Sequence, residues 1–256
     1  MMNDIEQLSS DLDKLMCWSK DWMMLFNVDK CKVMHIGHRN AKVNYKMDGV
    51  ALEEVQEERD LGVLVQNDLK CGRQCAKVVH TANRVLGLIR RTFRNFSREV
   101  VIKLYKSLIR PHLEYAVQAW RPHLWRDIDL IEGVQRRATK LLVDLKDKCY
   151  EDRLRSLKLQ TLETRRLRGD MIEVFKILKG FEDVDSGHFF TRAHLPTRGH
   201  DLKLVKPRCS LDLRKFSFSN RVVDVWNKLS ASDIACNSVD AFKQRLDKFL
   251  ISQGFI

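Results

Sequence analysis

The sequence predicts a mainly α fold, a helical bundle preceded by a small N-terminal α+β element. Apolar residues recur every three or four positions along much of the chain, which is typical of amphipathic helices, and short alternating stretches typical of strands occur between residues 32 and 65. With 44% hydrophobic residues and only 4 prolines and 11 glycines in 256 residues, the chain can bury a core and be mostly ordered. This length allows one or two domains.

The first segment, residues 1–68, is predicted to contain a helix, a strand and a hairpin. The helix is indicated by one apolar stripe: Leu8, Leu12, Leu15, Trp18, Trp22 and Leu25. We therefore expect both tryptophans in the core. A short strand is predicted over residues 32–37, and then a hairpin with Asp48 and Gly49 in its turn, because a type I′ turn needs positive φ at both central residues.

A further strand is predicted to begin at Leu61, in the run LGVLV. Five carboxylates precede it: Glu53, Glu54, Glu57, Glu58 and Asp60. We expect these carboxylates on a turn, where water solvates their charges.

Residues 69–180 are predicted to form a helical domain that opens with a long helix from Leu69 to Phe93. One face of this helix is apolar: Cys75, Val79, Ala82, Leu86, Ile89 and Phe93. The opposite face is cationic: Arg73, Lys77, His80, Arg84 and Arg91. No acidic residue occurs from Lys70 to Arg98, so the cationic face is a candidate surface for nucleic-acid phosphates. The alternative is a solvated face without a partner.

Two prolines divide the stretch that follows. A helix from Arg98 to Ile109 is expected to end before Pro111, because a residue before proline is disfavoured in the helical conformation. Pro111 can open a second helix, which ends before Pro122 and carries one apolar stripe: Leu113, Ala116, Val117 and Trp120.

A third helix in this stretch is predicted to have two faces. Its packing face contains Ile131, Val134, Ala138 and Leu141. Its second face, with Glu132, Arg136 and Lys140 four residues apart, is expected in water as a cationic stripe. Arg136 and Lys140 are therefore added to the candidate nucleic-acid-binding residues.

The last hundred residues are predicted to form a helix, a linker and two terminal helices. The helix carries the apolar stripe Leu167, Met171, Val174, Phe175 and Leu178, with Gly180 as its C-cap. Residues 181–210 lack periodicity and are predicted to be a loop-rich linker, and residues 211–256 hold the two amphipathic helices.

The charge is unevenly distributed along the chain. Residues 1–68 contain 8 basic and 13 acidic side chains, whereas the remainder contains 38 basic and 21 acidic ones, so the whole excess of +12 lies after Asp68. A basic half of this kind favours a polyanionic partner, of which nucleic acid is the commonest. A well-solvated surface is the alternative.

Cysteine usage and the N-terminal sequence indicate an intracellular protein, cytoplasmic or nuclear. The seven cysteines are scattered and contain no CxxC pair, which is typical of reduced thiols. The groups Cys31, His35, His38 and Cys71, Cys75, His80 each offer at most three zinc ligands, whereas a structural zinc site uses four. The polar N-terminus is unlike a targeting peptide, and no apolar run reaches the roughly 20 residues of a membrane span.

The order of several sequence blocks resembles the region downstream of the active site in reverse transcriptases of LINE-type retrotransposons, in the chicken-repeat and jockey-like branch. The blocks are DLDKLMCWSKDWMMLFNVDKCKVMHIG, ERDLGVLV, LYKSLIRPHLEY, VQRRATK, RRLRGDMIEVFKILKG, TRGH and RVVDVWNKL, and they cover nearly the whole chain. The chain departs from the family pattern in QTLETRR and in WNKLS.

The resemblance implies a role for each segment. Residues 1–68 would be the edge of the polymerase palm, and residues 69–180 the thumb that closes on the template–primer duplex. Tyr45, Leu61 and Gly62 would correspond to the primer grip. Lys30 would match a lysine near the phosphates of the incoming nucleotide, although a solvated turn lysine is the alternative.

The resemblance also predicts that the chain does not polymerise nucleotides. The family holds two magnesium ions on an aspartate strand and on a tyrosine-x-aspartate-aspartate hairpin, both upstream of DLDKL, which here begins at Asp11. No such hairpin sequence occurs in this chain, so we expect no cofactor, no small-molecule substrate and no catalytic residue. The expected activity is non-specific binding of RNA, RNA–DNA hybrid or DNA duplex. A helical protein-interaction module and a fragment of a longer active polymerase are the alternatives.

Overall fold

The computed structural model describes residues 2–37, 40–93, 97–193 and 199–254, and it confirms the predicted fold class. The described residues are mainly helical, with three small two-stranded sheets in the N-terminal part. The chain divides into two compact units, Met1–Cys71 (unit 1) and Gly72–Ile256 (unit 2). Among the described residues, no helix has both the length and the apolar character that crossing a membrane requires.

Unit 1 begins with helix α1, Met2–Asp21, whose apolar stripe remains largely in solvent. The prediction that Trp18 and Trp22 lie in the core is wrong, because they are 45% and 67% exposed. Only Met16 and Ser19 of this helix are buried among its described side chains. The strands that follow are two to four residues long and offer no broad apolar face to cover the stripe.

The six strands of unit 1 pair into three separate sheets. Their bounds are β1 Lys32–Val33, β2 Lys46–Met47, β3 Val50–Ala51, β4 Glu53–Glu54, β5 Glu57–Asp60 and β6 Val63–Gln66. β1 pairs with β4 in parallel, whereas β2–β3 and β5–β6 are antiparallel hairpins. The turn at Asp48 and Gly49 has φ of 50° and 76°, which confirms the predicted hairpin with positive φ at both central residues.

The second hairpin, β5–β6, corrects two expectations. Leu61 and Gly62 form its turn, with φ of 44° and 87°, so the strand predicted from Leu61 begins at Val63 instead. The five carboxylates do not lie on a turn, because they belong to β4 and β5. Backbone pairing with Val63–Gln66 holds the acidic β5 segment extended, while four of the five carboxylates remain exposed.

The regular structure described in unit 2 is helical, apart from one isolated bridge between Arg192 and Leu204, and the stretch between Lys179 and Asp212 contains no α-helix among its described residues. Its helices are α2 Gly72–Thr92, α3 Arg98–Leu104, α4 Arg110–Glu114, α5 Val117–Trp120, α6 Trp125–Thr139, α7 Tyr150–Leu157, α8 Leu162–Lys179, α9 Asp212–Lys215, α10 Phe218–Arg221, α11 Val223–Trp226, α12 Ala231–Ile234 and α13 Val239–Ser252. Short 3-10 turns lie at Val143–Leu145 and Ser186–His188, and a π-helical turn lies at Tyr105–Ile109.

The helix predicted to end before Pro111 instead continues through it. α3, the π-helical turn and α4 are consecutive, with Pro111 in the first turn of α4. The wider π-helical turn accommodates the proline ring, which would clash with the carbonyl four residues earlier in a regular α-helix.

The single helix predicted from Pro111 to Trp120 is wrong as well. The backbone leaves the helix after Glu114, and Ala116 adopts the left-handed conformation with φ of 51° before α5 begins. Leu113 and Trp120 are still buried, and α5 ends before Pro122 as predicted.

Buried apolar clusters stabilise unit 2. The predicted apolar face of α2 is confirmed from Cys75 to Ile89, and it packs against α4 and α6. A C-terminal core joins α8, α11 and α13, where the rings of Phe175 and Phe242 are stacked with centroids 4.1 Å apart. Gly180 caps α8 with φ of 73°, as predicted.

The expectation that Glu132 lies in water on α6 is wrong. Its carboxylate is buried and accepts hydrogen bonds from the Tyr150 hydroxyl, from Gln135 Nε2 at 3.1 Å and from the Leu162 backbone N–H at 2.9 Å. Burial raises the pKa of Glu132 above its ordinary value, although the bonds from Tyr150 and Leu162 oppose this shift. This network connects α6 to α7 and α8.

A buried ion pair connects α8 to α5 and α10. The Asp170 carboxylate has no solvent exposure and accepts hydrogen bonds at 2.9 Å from Arg121 Nη1 and from both Nε and Nη2 of Arg221. Arg221 also donates to the backbone carbonyls of Val117 and Gln118. Three helices, α5, α8 and α10, are thereby joined around one carboxylate.

Candidate nucleic-acid interface

The cationic face predicted on α2 is accessible along the whole helix. We call it the α2 stripe, and it consists of Arg73, Lys77, His80, Arg84 and Arg91. All but the half-buried Lys77 are exposed. At about 100° per residue the five side chains fall within roughly 60°, opposite the buried face, and the stripe is about 27 Å long. The sequence folds this way because the apolar residues of α2 keep a 3.6-residue period over the full helix.

No carboxylate of the described residues pairs with three of the five cations of the α2 stripe. Lys77, Arg84 and Arg91 form no ion pair with any residue that the structure describes. The 29-residue segment from Lys70 to Arg98 contains no acidic side chain that could approach them along the helix. Unpaired cations along one helix face produce a positive potential that attracts polyanions.

A groove continues from the C-terminal end of the α2 stripe. It has a volume of about 890 Å³ and lies between the second half of α2, the end of α6 and the turn at Val143–Leu145. Five cations line it: Arg90, Arg91, Arg137, Lys140 and Lys146. Four apolar side chains lie between them: Leu86, Phe93, Leu141 and Val143. We call this feature the cationic groove, and no acidic residue lines it within the described part of the chain.

Two acidic residues, Asp144 and the exposed Asp147, are adjacent in sequence to residues of the groove lining. Asp144 follows Val143 directly, and its carboxylate accepts hydrogen bonds from Nε and Nη2 of Arg98 at 3.0 and 2.5 Å. Both donors share one oxygen, Oδ2, and the pair is about half exposed. The Asp144 charge is therefore directed towards Arg98 rather than towards the cations of the groove.

The two candidates on α6 are placed differently from each other. Lys140 is exposed, caps α6 and lines the cationic groove together with Arg91. Arg136 instead donates to Asp129 Oδ1 at 2.5 Å, which raises the pKa of Arg136, and its guanidinium lies 5.3 Å from the centre of the Tyr150 ring. Arg136 does not line the groove. The positive charge of Arg136 is thus partly neutralised by Asp129 within the protein.

Three groove residues were missed by the sequence analysis. Arg90, Arg137 and Lys146 were not among the predicted binding residues, although all three line the groove. Arg137 also donates to Asn83 Oδ1 at 3.2 Å, which holds it across the gap between α6 and α2. The paired arginines in IRRT and QRRA could have indicated additional binding residues. The helical period, however, places Arg90 and Arg137 outside the cationic faces predicted on the two helices.

The candidates in unit 1 lie on two separate hairpins. Tyr45 is half-buried just before β2, and its carbonyl accepts from the Leu52 backbone N–H at 2.9 Å. Leu61 and Gly62 form the turn of the other hairpin, with Leu61 largely exposed. Lys30 is exposed at the end of a 3-10 turn, Val28–Lys30. Their assignment to a primer grip and a phosphate contact stays a prediction.

The structure separates His80 from Cys75 in one of the two cysteine and histidine groups. All seven cysteines are free thiols. Cys75 is buried, whereas His80 is exposed on the opposite face of the same helix, so these two side chains cannot bind one ion. In the other group, Cys31 and His35 are described and His38 lies outside the described residues.

Comparison of the chain with protein-family models, with curated proteins and with solved structures finds no match. The resemblance to LINE-type reverse transcriptases therefore stays a prediction that rests on the sequence blocks quoted above.

Proposed function

We propose that unit 2 binds nucleic-acid duplexes, RNA, RNA–DNA hybrid or DNA, through the α2 stripe and the cationic groove, without regard to base sequence. The observation that carries this proposal is that Lys77, Arg84 and Arg91 form no ion pair with a described residue, beside a groove that has five cations and no acidic residue in its described lining. Phosphates are the anions that such a track fits, since duplexes present them in regular rows. Contacts to phosphates carry no sequence information directly.

The second part of the proposal concerns the family that the sequence resembles. We infer that the chain is a C-terminal part of a LINE-type reverse transcriptase, acts inside the cell and binds nucleic acid without extending a primer. The resemblance supports a duplex as the ligand, since the thumb of that family closes on the template–primer duplex. The exposed carboxylates of β4 and β5 lie on short strands of unit 1 and are proposed to be solvated charges rather than metal ligands.

A salt titration tests the binding proposal. The parent chain should bind duplexes of unrelated sequence equally well and lose affinity steeply as salt rises. The double variant Lys77→Glu and Arg84→Glu should weaken binding to every duplex. It should also flatten the log–log slope by up to about 0.9 for each phosphate that the protein no longer neutralises.

The matched control is Arg208→Glu with Lys248→Glu, which reverses two exposed cations of unit 2 outside the stripe and the groove. This control separates the local effect of the stripe from the change in net charge. If the stripe variant stays folded and binds like the parent, the duplex-binding proposal is wrong.

Primer extension tests the second part of the proposal. The purified chain should not extend a primer on an RNA template with magnesium or manganese, because it contains no tyrosine-x-aspartate-aspartate sequence to hold the two ions. Extension above a control without protein would contradict this.

A second candidate function is protein binding by unit 1. The observation that favours it is the run of exposed apolar side chains on α1 and just after it: Leu8, Leu15, Trp18, Trp22, Met23, Met24 and Leu25. A contiguous apolar surface of this kind is typical of a protein-binding surface. This candidate becomes the better one if charge reversal on the α2 stripe leaves duplex binding unchanged.

A further inference from the structure

We propose that the cationic groove holds an unpaired strand that continues from a duplex lying along the α2 stripe. The inference rests on the proposed function and adds the form of nucleic acid that the groove selects. The chain would thus prefer a duplex with a single-stranded extension to a blunt duplex.

The lining of the groove matches an unpaired strand in both parts of its chemistry. Its five cations fit phosphates. Beside them, Val143 is 85% exposed, Phe93 is 38% exposed and Leu141 is half-buried, so apolar surface is accessible next to charge. Proteins that bind single strands combine the same two features, a cationic track and aromatic or apolar platforms for the base faces.

A duplex cannot use the apolar part of this lining. Its bases are stacked inside the helix, so their faces are not accessible and only phosphates, sugars and base edges can be contacted. An unpaired strand offers its base faces to side chains such as Phe93 and Val143. The groove volume of about 890 Å³ lies within the range of about 300–1,000 Å³ of small-ligand sites, so one or two unpaired nucleotides can enter it.

The position of the groove connects it to the α2 stripe. Arg91 belongs to both features, because it is the last cation of the stripe and lines the groove. A strand whose phosphates follow the stripe towards the C-terminal end of α2 therefore reaches the groove without a gap in positive charge. Arg137 and Lys140 of α6 continue the cationic lining on the far side.

The experiment compares two labelled duplexes, one blunt and one with a short single-stranded extension, in binding titrations with the whole chain. The extended duplex should bind about 5- to 150-fold more tightly for each stacked base. Val143→Glu should abolish this gain, because it places a negative charge beside the phosphates at a position exposed enough to tolerate it. Leu211→Glu, an equal charge change at another exposed apolar residue of unit 2, should preserve the gain.

Phe93 provides an independent test. Phe93→Ala should reduce the ratio of the affinities for the extended and the blunt duplex, and Phe93→Trp should restore this ratio, since a larger ring also stacks. If blunt and extended duplexes bind equally, the inference is overturned while the proposed function stands. A gain that survives in both Val143→Glu and Phe93→Ala also overturns it. If neither duplex binds, the proposed function fails and the inference fails with it.

Discussion

Helices α1 and α2 have the same kind of amphipathic sequence, but the apolar face of α2 is buried whereas that of α1 is exposed. In α2 the apolar face is buried from Cys75 to Ile89, because α4 and α6 cover it. In α1 the face with Leu8, Leu15 and Trp18 remains exposed, because the described part of unit 1 offers only strands of two to four residues. A 3.6-residue period therefore predicts a helix and identifies its apolar face, whereas burial of that face depends on a second layer elsewhere in the unit.

The same contrast extends to charge and stability. Unit 2 has several buried apolar clusters and the excess of basic residues, whereas the buried side chains described in unit 1 are only Met16, Ser19, His35 and Met47. A unit of this size with so little buried apolar surface gains little free energy from folding. Changes in unit 2 should therefore alter stability far more than equivalent changes in unit 1.

The largest effect is expected at the buried ion pair of unit 2. Asp170→Ala should lower the free energy of unfolding by about 3–5 kcal/mol, because it leaves the guanidinium groups of Arg121 and Arg221 without their carboxylate. Asp11→Ala, which removes the exposed partner of Lys14 on α1, should leave the unfolding curve nearly unchanged. Urea denaturation followed by circular dichroism measures both. Equal losses would contradict the contrast between the units.

A matched pair of leucines makes the same comparison for packing. Leu86→Ala on α2 should cost about 2–5 kcal/mol, the usual range for a buried leucine, whereas Leu8→Ala on α1 should cost about 0.5 kcal/mol or less. Thermal or urea melts of the two variants give the values. A melt of Leu86→Ala that matches the parent would show that the buried face of α2 is wrongly assigned.

The buried carboxylate of Glu132 predicts a pH dependence within unit 2. Its pKa is raised in the folded state, so the folded protein binds more protons than the unfolded chain once the pH passes about 4.3, the ordinary value for glutamate. The stability contribution of this group therefore falls as the pH rises from there to the folded pKa, by up to about 1.36 kcal/mol per pH unit.

Glu132→Gln should remove this part of the slope, whatever its effect on stability at a single pH. Urea denaturation of parent and variant at several pH values above the ordinary glutamate pKa gives the two slopes of unfolding free energy against pH. If the slopes are the same, burial does not dominate the titration of Glu132.

The smallest effect on stability is expected on the α2 stripe itself. Lys77→Glu with Arg84→Glu should change the free energy of unfolding by less than about 0.5 kcal/mol for each site, because neither side chain is paired with a described residue or fully buried. The same variant is expected to lose much of its duplex binding. A large fall in its melting temperature would show that the stripe contributes to the fold.

The sequence was sufficient for features set by local pattern. The predicted bounds of α2 are within three residues of the observed Gly72–Thr92, since an apolar stripe of that length has one interpretation. The hairpin turn at Asp48 and Gly49 was predicted from two residues whose conformational preference is strong. The turn at Leu61 and Gly62 was missed, because leucine rarely adopts a positive φ.

Features that depend on distant partners could not be predicted. Glu132 is buried because Tyr150 and Leu162, 18 and 30 residues later, donate to its carboxylate. The cationic groove likewise exists only because the end of α6 packs beside α2, which brings Arg137 and Lys140 next to Arg91. The stripe within one helix was predictable, whereas the groove between two helices was not.

The π-helical turn at Tyr105–Ile109 determines how the chain tolerates a change in length. Buried residues recur every four positions through it: Val101, Tyr105, Ile109 and Leu113. In a regular α-helix each four-residue step overshoots a full turn by about 40°, so such a repeat would wind away from the core, and the extra residue in the π-helical turn compensates. Deleting exposed Ser107 would give spacings of four, three and four, which a regular α-helix keeps on one face. Deletion of one residue in the middle of α2 would instead rotate half of its buried face by about 100° relative to the other half.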